Sequence, residues 1–139
     1  MTLNQIDRSN YFRGLLFLIS IDGKEINKNK KLLYSLASVL GFNHYFIDQE
    51  IKDFIETNEV NITPPKFSNH ILAEAFLKDG IKIAFIDKAL HISELNWLVT
   101  FTQINQLSKQ WFFLELENFL ENYESNESIH FELQNYIQA

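Results

Sequence analysis

Four carboxylates stand where apolar runs of the chain break off: Asp22 and Glu25 in LLFLISIDGKEINKNKKLL (residues 15–33), and Asp87 and Glu94 in AFIDKALHISELNWLV (residues 84–99). Side chains of this type bind hard divalent cations such as calcium or magnesium. Calcium takes about six to eight oxygen ligands, so four carboxylates drawn from two places serve only if the fold brings them together. An EF-hand fails by register: with Gly23 at the sixth loop position, the first and twelfth are Leu18 and Asn29, and with Gly80 they are Ala75 and Ile86. Carboxylates are required there. Asp87 and Glu94 also make a carboxylate pair for general acid–base work, although no glycosidase-like context accompanies them. The structural alternative is that Asp22 ends a helix with Gly23 in the turn, while Glu94 favours the positive end of the next helix. The histidines at 44, 70, 91 and 130 show no paired ligand spacing, and the chain has no cysteine and no G-x-S-x-G. Zinc, thiolate and serine-hydrolase chemistry are therefore not expected, and no residue is assigned a catalytic role.

Two surfaces are candidates for a protein partner. Lys24, Lys28, Lys30 and Lys31 cluster at the start of a helix, where the dipole disfavours cations, which singles out Lys28 and Lys31 as contact residues. The other is the last long helix, with Trp111, Phe112, Phe113, Glu115, Glu117 and Glu121: core packing is expected of Phe112 and Phe113, whereas Trp111 lies nearer the acidic side and can anchor a contact. The net charge of -6 is unevenly placed, since residues 1–109 hold twelve acids and twelve bases while residues 110–139 hold six acids and no base. An acidic end and only two arginines, Arg8 and Arg13, disfavour nucleic acid. Four dispersed glycines exclude a phosphate-cradling loop. MTLNQIDRSN carries an acid where an export signal has a basic region, and no apolar run approaches the ~20 residues of a membrane span, so a cytoplasmic chain without a span is expected.

The elements that must position these groups follow from periodicity. Sliding the chain against itself by 65 lays residues 11–56 on 76–121 without a gap. Tyr11 falls on Phe76, Arg13 on Lys78, Leu16 on Ile81, Asp22 on Asp87, Glu50 on Glu115 and Phe54 on Phe119. Each copy has the helical spacing of three helices, which predicts an all-α single domain of six to seven helices built as two three-helix pseudo-repeats. In the first copy the helices run from Tyr11 to Ile21, from about Asn27 to Gly41, and from an Asn43 cap through Ile55; in the second, Ser68 caps a helix through about Asp87, Ser93 caps the next, and Ser108 caps the last. Residues 58–67, with Pro64 and Pro65, form the connector. Gly80 falls in mid-helix, where it costs ~1 kcal/mol relative to alanine and permits close packing. In the acidic tail, residues 124–139, the pattern of Ile129, Phe131 and Leu133 suits either a strand or a helix, and a short helix is expected.

These acidic junctions resemble the TerB-like domain of tellurite-resistance and stress-response proteins. That family's pattern is an apolar helix running into Asp-Gly, then a hydrophobic residue, then a glutamate about seven positions after the aspartate. Asp87, Leu90 and Glu94 match it in the second copy, and Asp22-Gly23 and Ile26 in the first, over roughly residues 9–123. Two positions depart: Asn29 stands at the glutamate position of the first copy and Lys88 at the glycine position of the second. The resemblance implies an all-helical domain of two related halves, a protein-interaction role in a stress-related assembly, and divalent metal at Asp22, Glu25, Asp87 and Glu94.

Overall fold

The computed structural model describes residues 3–21, 26–57, 62–123 and 129–137. All regular structure among these residues is helical: α1 (Gln5–Ser20), α2 (Lys30–Leu40, entered through a 3₁₀ turn at Asn27–Asn29), α3 (His44–Thr57), α4 (His70–Ala84), α5 (Ile92–Ile104), α6 (Lys109–Glu121) and a C-terminal 3₁₀ turn (Glu132–Asn135). Side chains fix where the helices begin. Asn4 accepts from Asp7 N at 2.7 Å, Asn43 from Phe46 N at 2.8 Å, Asn69 from Leu72 N at 2.8 Å and Ser108 from Trp111 N at 3.2 Å. Each satisfies a helix-start N–H that has no partner within its own helix.

Several expected boundaries are corrected by these caps. α1 starts at Gln5 rather than Tyr11, since Asn4 opens it. Ser68 does not cap α4; Asn69 does, and the Ser68 hydroxyl donates to the buried Asp7 carboxylate, tying the start of α4 to α1. α4 ends at Ala84, not near Asp87. α5 starts at Ile92 behind His91, so Ser93 lies inside it, and Glu94 reaches back to accept from His91 N at 3.2 Å. Phe112 is fully buried as expected, but Phe113 is 43% exposed.

The second half of α1 is buried on every side, which makes it the central helix of the core. It crosses α4, and α2 and α5 flank the pair. Glycines let them approach: a Cβ on Gly14 would lie 2.7 Å from the buried Phe76 ring, and one on Gly80 would lie 2.9 Å from Leu98 and 3.3 Å from Leu18. The close packing expected of Gly80 is therefore present, and Tyr11 meets Phe76 edge-on at 5.1 Å. Asn105 fastens the connector by donating to Pro65 O at 2.8 Å and accepting from Phe67 N at 2.9 Å; Trp97 donates to Ile62 O at 2.9 Å.

Helix starts recur at one interval: α1 and α4 begin at residues 5 and 70, and α3 and α6 at 44 and 109, both 65 apart. α2 and α5 begin at 30 and 92, three residues short of it. One pair of left-handed positions shares the interval. The two non-glycine residues with positive φ among those described are Gln106 (φ 56°) and Lys88 (φ 67°). Subtracting 65 gives Gly41, itself at φ 82°, and Gly23, which lies outside the described residues.

Candidate functional site

Asp22 and Glu25 lie outside the described residues, and among those described no group of three or more His, Asp or Glu is placed to hold a metal ion. Asp87 sits in the turn after α4, where its carboxylate pairs with the His91 imidazole at 2.9 Å and accepts from Ala89 N at 3.3 Å. Glu94 is fully buried and serves the start of α5. Glu94 thus has the helix-start role weighed beside metal binding, whereas Asp87 is bonded within the turn. Lys28 and Lys31 are exposed at the entry to α2. Trp111 is half-buried against the core.

The exposed apolar surface of α6 is larger than its sequence suggested. Phe113, Leu114 and Leu120 are 43%, 58% and 45% exposed, and Phe113, Leu116, Glu117, Leu120 and Glu121 line one shallow groove of about 350 Å³. Spacings of three, four and seven put these residues on one stripe, with carboxylates along its edge. Leu116, at the bottom of the stripe, is buried.

Two smaller clefts stand between α1 and α3 and between α4 and α6. One of about 50 Å³ is lined by Arg13, Leu16, Glu50, Asp53, Phe54 and Thr57. The other, of about 230 Å³, is lined by Lys78, Ile81, Lys82, Glu115, Asn118, Phe119 and Glu132. Adding 65 to Arg13, Leu16, Glu50, Asp53 and Phe54 gives Lys78, Ile81, Glu115, Asn118 and Phe119. Each cleft thus sets a base on one wall against an acid on the other, over an aromatic floor.

Sequence reading missed Asp79. This carboxylate is fully buried on α4, and Tyr11 Oη donates to it at 2.5 Å. Backbone N–H groups of the C-terminal turn also donate to it, Glu132 N at 2.7 Å and Leu133 N at 3.4 Å. Lys82 Nζ stands 4.0 Å away and itself holds His130 O at 2.6 Å and the Glu132 carboxylate at 3.3 Å. Burial pushes the Asp79 carboxyl up to about 6, against the opposing effects of the Tyr11 hydroxyl, the two backbone donors and the lysine. The Tyr11 phenol is raised well above its usual value by burial and by its carboxylate neighbour. A hydrophilic residue inside KDGIKIAF was the available signal, but its partners are 68 and 53 residues away in sequence.

No family model, no curated protein and no solved structure matches the chain.

Proposed function

We propose that the chain is a non-catalytic protein-interaction module whose contact surface is the outer stripe of α6, and that its partner presents a basic amphipathic helix. The observation that carries this is the apolar groove of Phe113, Leu116 and Leu120 edged by Glu117 and Glu121, in a stretch of thirty residues, 110–139, with six acids and no base. Exposed apolar stripes of this kind accept the apolar face of a helix, and an acidic edge selects lysine and arginine on its flanks. A duplicated three-helix unit of TerB-like type in a cytoplasmic, stress-related assembly is the wider setting proposed. Its support is the resemblance at Asp22-Gly23 and Asp87–Glu94 together with the interval shared by two pairs of helix starts, by the left-handed Gly41 and Gln106, and by the clefts. Among the described residues no helix is long and apolar enough to cross a membrane.

The test is calorimetric titration of the full chain with two synthetic amphipathic helices of the same apolar face, one with lysine and one with glutamate on the polar face. The lysine peptide binds, more weakly in high salt, and Phe113→Ser/Leu120→Ser abolishes the binding without unfolding the protein. Equal affinity for both peptides, or binding unchanged in the double variant, overturns the proposal. A stable dimer in light scattering that the double variant dissociates would instead assign the stripe to a second copy of the chain.

A further inference from the structure

Independently of the α6 stripe, the surroundings of Asp79 describe a binding site that already holds a peptide, namely the chain's own C-terminal segment. We propose that residues 129–137 form a displaceable latch, an intramolecular ligand seated in a site built by Asp79 and Lys82. The site reads the segment in three ways. Asp79 accepts two successive backbone N–H groups at the start of the 3₁₀ turn, Lys82 grips His130 O and the Glu132 carboxylate, and Phe131 and Leu133 are buried to 1% and 0% exposure. The turn packs on α4. Phe131 and Leu133 are the segment's fully buried anchors and Ile129 and Ile137 its half-buried ones, while His130, Gln134, Asn135 and Tyr136 are exposed; a short terminal segment held this way opens locally below the cost of global unfolding.

Asp79 makes the latch sensitive to pH. With the latch closed, burial holds the carboxyl protonated up to about pH 6; opened to water, it reverts to an ordinary aspartate. The closed form therefore binds the extra proton, and closing is favoured as pH falls from 7 to 5, by about tenfold for a single group titrating near 6. The other groups facing it are Tyr11 from α1, Lys82 from α4, and Glu132, Tyr136 and the His130 carbonyl from the segment, with Glu115 of α6 across the cleft that Glu132 lines. The His130 imidazole is turned towards Asn135, away from the carboxylate.

The experiment is amide hydrogen exchange on the full chain between pH 5 and pH 8, corrected for intrinsic exchange. Protection of the Glu132 and Leu133 amides should fall by about tenfold from pH 5 to pH 7 while amides in the middle of α1 and α4 stay protected. Asp79→Asn should make the protection of the segment independent of pH, and Lys82→Gln, at a partly exposed site, should lower it at every pH without unfolding the helices. Exchange of the segment in step with α4 at every pH overturns the latch. A pH dependence that survives Asp79→Asn overturns the assignment of the proton.

Discussion

Lys88 and Gln106 hold φ angles of 67° and 56°, in the left-handed region where a Cβ crowds the following carbonyl. Glycine removes that crowding, at the cost of more backbone freedom in the unfolded chain. Lys88→Gly and Gln106→Gly should each stabilise the protein by about 0.5–1 kcal/mol, read as a higher urea midpoint at unchanged slope. No loss of contact opposes the gain at these positions, which are both exposed. That Lys88 and Gln106 are left-handed was not legible, because a sequence does not show the φ that a lysine or glutamine adopts. Asp79 was illegible for another reason. Periodicity places an acid on a helix face, but whether that face meets water or a tyrosine from α1 is decided by packing between distant segments.

At the level of elements, the polar helix starts were the most readable feature and also the easiest to misplace. Asn43 and Ser108 cap as expected, whereas Ser68 and Ser93 sit one and two residues from the true caps, Asn69 and His91. Several small polar residues stand together at these junctions, and composition alone does not choose among them. α6 posed a different problem. Its sequence WFFLELENFLE is apolar nearly all round, so both Phe112 and Phe113 were expected in the core, and of the two only Phe112 is buried. At the start of α5, loss of the reciprocal cap in Glu94→Ala should cost about 0.5–2 kcal/mol. The loss should be the same in calcium and in chelator; a larger loss in calcium, measured by thermal unfolding, would restore Glu94 to a metal site.

Across the whole molecule, the all-helical architecture was legible because it rests on local signals: turn residues and apolar residues at helical spacing. The lock that holds the connector was not, since Asn105 lies in α5's C-terminal cap and binds Pro65 and Phe67 some forty residues earlier. Asn105→Ala leaves a buried N–H and carbonyl without partners, each costing about 1–3 kcal/mol, and should lower the urea midpoint accordingly. It should act on α1, α4 and α5 together, with one cooperative transition retained, because Phe67 packs on Tyr11, Phe76 and Phe101 at once.

The setting of the two tryptophans has a practical outcome. Trp97 is sunk beside Phe17 with its indole bonded to the connector, while Trp111 rides half-covered on α6. They are the chain's entire tryptophan complement, so it carries a pair of built-in optical reporters with separate duties. In a Trp111→Phe background the remaining emission follows the integrity of the interior; in a Trp97→Phe background it follows events at the outer helix, and the two signals can be read without attaching a dye.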